Sequence, residues 1–340
     1  MTTQKVILHI NMASGFGGGE VQTLNLISHI SNYQQYCLAK SGKAFQMRCQ
    51  QACSAVTQLN LKQAFVLAWK HKKQLIIHAH DGRAVHIASL LKRLFGCKVV
   101  ITRRMDKAIK NSGFSRASYI DADRLVAVSH AVKGSLSFAG KPVVVIPDSY
   151  SDLPSSENEA IKLAQFDGKF VVSHIANLLP IKNHELTLAL ARLVEPLRQD
   201  VVFLLVGDGK ERSRLETAAQ GLTNVVFWGF TPFVKDILDR TDLLLLPSHS
   251  EGLGSIILEG YQHGIPVIAA KVGGVPDVVQ DGKTGALITD GGAQDYLAAL
   301  MRFLDQDAMI ENCKTEIAAI ADSYSPAAIA ERYMGLYQDL

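Results

Sequence analysis

The sequence predicts an α/β protein of two parallel-sheet, Rossmann-like domains facing a cleft. Two observations carry this. Short apolar runs closed by glycine, proline or a polar residue alternate with segments of helical period, and the alternation restarts after a polar stretch near residue 150. The length of 340 residues suits two domains that each bury a core.

Hydrophobic residues make up 48% of the chain and charged residues 20%, which excludes a disordered protein. No run reaches about 18 uninterrupted apolar residues, and the start lacks the apolar region of a signal peptide. We therefore expect a soluble, cytoplasmic protein. Its five cysteines, Cys37, Cys49, Cys53, Cys97 and Cys313, lack a paired C-x2-C spacing and are expected to be reduced structural thiols, with no zinc site. The net charge of +3 is unevenly shared. Residues 1–150 hold 20 Lys and Arg against 6 Asp and Glu, a net of +14; residues 151–340 hold 15 against 26, a net of −11. The first half should attract an anionic partner, such as a membrane face or a phosphorylated lipid. Nucleic acid is not expected, because no aromatic platform or recognition motif accompanies the charge.

Taken in order, Val6 to Ile10 reads as a buried strand, followed by the turn Gly15-Phe16-Gly17-Gly18-Gly19-Glu20 and a helix marked by Val21, Leu24, Leu26, Ile27 and Ile30. Glu20 stands where a dinucleotide fingerprint would need its third glycine, so the turn reads as backbone that approaches a ligand closely. Ser31 to Lys73 shows an amphipathic helix near Leu59 to Trp69 and no chemistry. Leu75 to Ala79 is the next strand, with His78, His80 and Asp81 at its end, where open parallel sheets bind ligands. We take His78 and His80 to face opposite ways, so that His80 alone reaches a cleft. Lys98 to Thr102 forms a strand ending in Arg103 and Arg104, whose guanidinium forks suit a phosphate or carboxylate, the alternative being a solvated basic loop, and Lys107 to Arg116 adds further cations. Asp121-Ala122-Asp123 has a metal-binding spelling but precedes a strand instead of following one, so both are read as helix-end and loop residues with no metal. Val143 to Ile146 closes a first domain, 1–150, and 151–168 reads as a linker.

The second domain, 169–325, restarts with Phe170 to Ile175 and the segment Asn177 to His184, which contains Lys182. Val201 to Val206 with Gly207-Asp208-Gly209, then Val225 to Gly229 with Phe230 and Thr231, continue the pattern. Leu243 to Leu246 is a buried strand closed by Pro247, after which Gly252 and Gly254 mark a tight bend into a helix. The backbone amides of Leu253, Gly254 and Ser255 would then point out of that helix end, an anion site bracketed by Glu251 and Glu259. Carboxylates beside a phosphate serve neighbouring hydroxyls, so a sugar, a phosphate and a sugar in a row fit the demand. Three further helices end the chain; the last, 326–340, is expected to return to the first domain.

The E-x7-E spacing of Glu251 and Glu259, with Pro266 to Ala270, the Gly273-Gly274 turn and Gly282 to Gly285 after it, resembles the retaining glycosyltransferases of family 4. The resemblance runs strongly from about Ile175 to Ile288 and weakly through the first domain, where Arg103-Arg104-Met105-Asp106 is similar to a spelling in members acting on bacterial lipopolysaccharide and cell-surface glycans. It implies the GT-B fold and a nucleotide-sugar donor bound to the second domain, with no cofactor and no metal. Lys182 would serve the diphosphate, Glu251 the transferred sugar and Glu259 the ribose. The backbone at Gly229 and Phe230 would face the nucleobase. His80 would touch the donor sugar, and Gly18 and Gly19 would line the donor phosphates. Arg103 and Arg104 would meet a glycan or lipid-linked acceptor at the inner face of the cell membrane. One departure stands out: where the family supplies an arginine to the diphosphate, this chain has Asn177. The alternatives are a sugar-nucleotide epimerase on the same fold and a non-catalytic binding relative.

Overall fold

The structure, a computed structural model, describes residues 5–106, 109 and 113–340. Most of the cations between Lys107 and Arg116 that extend the basic loop lie outside the described residues. Two compact units emerge: Met1–Ser151 with Ser323–Leu340, and Asp152–Asp322.

In the first unit the order is β1 (Val6–Asn11), α1 (Gly18–His29), β2 (Gln34–Ala39), α2 (Ala44–Ala52), β3 (Thr57–Leu59), α3 (Leu61–His71), β4 (Leu75–Ala79) and α4 (Gly82–Phe95). β5 (Lys98–Arg103), α5 (Gly113–Ile120), β6 (Arg124–Ala127), α6 (His130–Gly134) and β7 (Val143–Val145) follow. Among the described residues these strands form one parallel sheet, ordered β3-β2-β1-β4-β5-β6-β7. Its order reverses between β1 and β4, and ligands of such sheets bind beyond the carboxyl ends of the strands at that reversal. The stretch from Ser31 to Lys73, unassigned from sequence apart from one helix, folds as β2, α2, β3 and α3. Asn60 caps α3 by accepting from the amide of Gln63, whose side chain returns to the Asn60 amide.

The second unit runs through α7 (Glu157–Leu163), β8 (Phe170–Ile175), α8 (His184–Val194), β9 (Val201–Val206), α9 (Arg212–Ala218), β10 (Val225–Gly229), α10 (Val234–Asp239) and β11 (Leu243–Leu246). It ends with α11 (Ser255–Gln262), β12 (Val267–Ala270), β13 (Gly285–Ile288), α12 (Ala293–Asp305) and α13 (Asp307–Ala321). Its parallel sheet is ordered β10-β9-β8-β11-β12-β13, reversing between β8 and β11. The stretch read as a linker contains α7, whose Leu163 joins Val171, Leu204 and Ile237 in the core. Glu159 on the same helix accepts from Trp228 Nε1 at 2.8 Å.

The final helix, α14 (Pro326–Gln338), belongs to the first unit. Its Ile329, Tyr333 and Tyr337 pack among Ile7, Leu26, Ile76 and Val100. No helix among the described residues is long and apolar enough to cross a membrane.

Candidate functional site

In the second unit the loops after β8 and β11, the strands flanking the reversal, are laced together by backbone groups. The amide of His249 donates to Ile181 O at 2.8 Å, and Asn183 Nδ2 donates to Pro247 O at 3.1 Å. Asn183 adopts φ of 56°, a left-handed conformation that asparagine tolerates better than most residues. This lacing sets Lys182 Nζ 2.5 Å from Glu251 Oε1, which also accepts from Ser248 Oγ at 2.7 Å. Glu251 is buried, 8% exposed, so its charge is balanced by a lysine and a hydroxyl instead of water.

The backbone of Glu251 is held from behind. Its carbonyl accepts from Gly274 N at 3.0 Å. Gly273 has φ of +52°, and a Cβ there would stand 1.8 Å from that carbonyl oxygen, so only glycine allows this approach. On the other side α11 starts at Ser255 with Gly254 at φ of 83° as its cap, leaving the first amides of the helix for a ligand. Leu253 is buried and does not line the cavity that Gly254 and Ser255 border. Glu259 lies in the second turn of α11, half-buried.

A cavity of about 260 Å³ opens here, lined by Lys182, Glu251, Gly254 and Ser255 with Asn177 and Phe230. Phe230 is 73% exposed and follows Gly229, whose φ of 89° turns the chain at the end of β10. The structure thus brings Lys182, Phe230, Glu251, Gly254 and Ser255 to one cavity. It also shows residues that sequence reasoning passed over. Ser248 orients Glu251, and Asn183 ties the two loops. Gly207 has φ of +136°, and a Cβ there would fall 2.1 Å from Ala176 O. Arg212 Nη1 would lie 3.2 Å from a Cβ at Gly229, which makes it a nearby arginine in a chain that lacks one at Asn177. A larger cavity, about 450 Å³, is lined by Pro180, His184, Glu185, Glu211 and Arg214. There Arg214 is paired with both Glu185 and Glu211, two carboxylates to one cation, whereas the smaller cavity sets one carboxylate against Lys182 and a helix N-terminus.

The first unit gathers a second constellation at its own reversal. His9 on β1 pairs in register with His78 on β4, and His80 follows β4. The rings of His78 and His80 lie 3.9 Å apart. This corrects the expectation that they face opposite ways, because residues i and i+2 of a strand share a face. His78 Nδ1 meets Tyr337 Oη at 2.6 Å and its Nε2 meets Thr102 Oγ1 at 2.8 Å. Thr102 in turn meets Tyr333 Oη at 2.9 Å. Burial lowers the pKa of His9 to about 4 and those of His78 and His80 well below the usual histidine value. It also pushes the Tyr333 hydroxyl up to about 12. The ligand atoms of His9, His78 and His80 fall within 4.8 Å of one another, close enough for a common ion. Every ring nitrogen except His80 Nδ1 is already in a hydrogen bond, however, which is the way buried imidazoles are satisfied without one.

Gly18 and Gly19 open α1, and a Cβ at Gly19 would touch Arg104 Cδ at 3.8 Å. Neither arginine is a free fork on a solvated loop. Arg104 Nε donates to Asp148 at 2.9 Å with both side chains largely buried, and Arg103 donates to Ser135 Oγ and Tyr119 Oη. Asp121 is bound to Ser89 and Arg93, and Asp123 to Lys92 and the amide of Val99.

Residues 155–319 match the model of the family Glycosyl transferases group 1. The N-acetyl-alpha-D-glucosaminyl L-malate synthase of Bacillus anthracis is 26% identical over 286 residues, 78% of this chain and 74% of that protein. A D-inositol 3-phosphate glycosyltransferase of Segniliparus rotundus is 25% identical over 303 residues, 80% of this chain and 67% of the relative. Among solved structures, Anabaena HepE in complex with UDP superposes with a TM-score of 0.81 at 20% identity, over 99% of this chain and 100% of that one. A glycosyltransferase from Rickettsia africae gives 0.81 at 16% identity, over 99% and 98%. At these identities the structural likeness establishes the fold, two parallel-sheet Rossmann-like domains of the GT-B class.

Proposed function

We propose that this GT-B chain, which carries a group 1 glycosyl transferase domain across residues 155–319, is a retaining, metal-independent glycosyltransferase. It takes a sugar from a nucleotide-sugar donor and passes it to a glycan or lipid-linked acceptor in lipopolysaccharide or surface polysaccharide synthesis. The observation that carries the reading is the Lys182–Glu251 pair at the start of α11, set at the reversal of the second sheet.

Breaking the bond from the anomeric carbon to phosphate builds negative charge on the leaving diphosphate. Fixed donors aimed at that charge lower the barrier without reorganising. Lys182 and the amides of Leu253, Gly254 and Ser255 supply them. Glu251, which Lys182 neutralises in the free protein, accepts from hydroxyls of the transferred sugar once the phosphate claims the ammonium. Glu259 accepts from the ribose, and Phe230 offers its open face to the base beside the Gly229 backbone. In the first unit, His80 meets a sugar hydroxyl beside Gly18 and Gly19. Arg103 and Arg104 line the acceptor side, where a ligand anion must compete with Asp148 for Arg104. The basic first half supports contact with an anionic membrane face.

The test is a panel of UDP-, GDP- and ADP-sugars, begun with UDP-glucose because HepE structures contain UDP and UDP-glucose. A ligand at a hundred times its dissociation constant stabilises the fold by about 2.7 kcal/mol, so one nucleotide class should raise Tm and be slowly hydrolysed. A panel in which nothing protects and nothing is hydrolysed would refute the proposal.

A further inference from the structure

His80 ends a chain of hydrogen bonds whose direction is fixed from its far end. Gln35 Nε2 donates to the carbonyl oxygens of Ile27 at 3.2 Å and Ile30 at 3.1 Å, groups that can only accept. The amide is therefore oriented, and its Oε1 is the atom 3.1 Å from His9 Nε2. An amide oxygen accepts, so His9 Nε2 carries the proton. Burial keeps His9 neutral at pH 7, which leaves His9 Nδ1 a lone pair. The 3.1 Å contact between His9 Nδ1 and His80 Nε2 then has one possible sense, with His80 donating. His80 is likewise neutral through burial, so its Nδ1 holds no proton. That nitrogen is buried and has no hydrogen-bond partner among the described residues. Nearby, Arg104 Nη1 is also buried and unpartnered, and its charge acts on both His78 and His80.

We propose that Gln35 and His9 are positioning residues that lock His80 as the Nε2–H tautomer, so that its Nδ1 meets a ligand as an acceptor and selects a hydroxyl. A hydroxyl can donate to Nδ1 and so satisfy the orphaned nitrogen. A carboxylate or phosphate oxygen only accepts and is turned away at Nδ1. That the hydroxyl belongs to a sugar rests on the glycosyltransferase reading; the tautomer does not.

The experiment is two-bond ¹H–¹⁵N correlation NMR on the full chain labelled at histidine, with His80 assigned by its loss in His80→Ala. The wild type should show His80 protonated at Nε2 and bare at Nδ1, and His9 the same. In Gln35→Leu the acceptor for His9 is gone. Either direction of the chain then leaves one buried N–H without an acceptor, on His9 Nε2 or on His80 Nδ1, so the single His80 tautomer should give way to a mixture. A wild-type His80 protonated at Nδ1 overturns the proposal without any variant. So does an unchanged tautomer in Gln35→Leu. A nucleotide-sugar panel without a hit would sink the transferase reading and leave this result standing.

Discussion

Phe230 gives the sharpest test of the donor cavity because its side chain contributes so little to the folded protein. At 73% exposed it should cost no more than about 0.5 kcal/mol of stability when truncated to alanine. A large aromatic side chain offers roughly 150–250 Å². If a nucleobase covers one face of the exposed fraction, about 55–90 Å² is removed from water. At about 25 cal/mol per Å² this amounts to about 1.5–2 kcal/mol, inside the range of about 1–3 kcal/mol found for bases stacked on aromatic rings. Phe230→Ala should therefore weaken nucleotide binding about 10- to 30-fold, with Phe230→Tyr near wild type. Calorimetry with the nucleotide that the panel selects reads the affinity, and urea unfolding reads the stability. Two results would refute the reasoning. An affinity unchanged within about twofold would mean that no base lies on the ring. A stability loss of several kcal/mol would mean that the ring is a core residue after all.

Other outcomes follow from the same geometry. Glu259→Gln should weaken nucleotide binding if its carboxylate holds the ribose, and calorimetry showing unchanged affinity would remove that role. Gly273→Ala should cost at least about 1–2 kcal/mol in urea unfolding from the left-handed conformation alone, and should weaken sugar-nucleotide binding further by displacing Glu251. Tyr337→Phe removes the 2.6 Å partner of His78 and should lower unfolding stability by about 1–3 kcal/mol. Acid should destabilise the protein between pH 6.5 and 4. His9 and His184 have folded pKa values lowered to about 4 by burial, so the unfolded chain takes up protons first and stability falls as pH falls through this window. For His9 the shift corresponds to about 3 kcal/mol, measurable as a falling urea midpoint.

The second unit was more legible in the sequence than the first, for a physical reason. Strands β9 and β11 spell continuous, largely buried apolar runs, closed by Gly207 and Pro247. β2 spells Gln34 to Ala39 with only its last three residues buried, and β3 is three residues long. Neither offers the period or the length that marks a strand. At the site, Glu251 and the start of α11 could be read because they sit next to Gly252 and Gly254, and Lys182 through the family resemblance of its segment. Asn183 and Gly207 matter through approaches between loops that only the parallel register brings together, and Ser248 through a hydroxyl bond to Glu251 that follows no sequence pattern. That Arg103 and Arg104 are paired could not be read, because adjacent arginines look alike whether solvated or paired, and the partner of Arg104 is Asp148, 44 residues away.

The histidine cluster shows how far the missing information was from being hidden. His9 faces His78 across β1 and β4, so a parallel pairing of these two strands is enough to stack two imidazoles, and the two-residue period adds His80 on the same face. What no periodicity can reveal is Gln35. It stands on β2 opposite Ile7, and its amide is oriented by carbonyls at the end of α1 and just beyond it. The protonation of a side chain at the ligand end of the sheet is thus decided by backbone groups of a helix terminus, through two side chains that never reach the ligand. A substitution at Gln35 that left the fold intact would still change what His80 can bind.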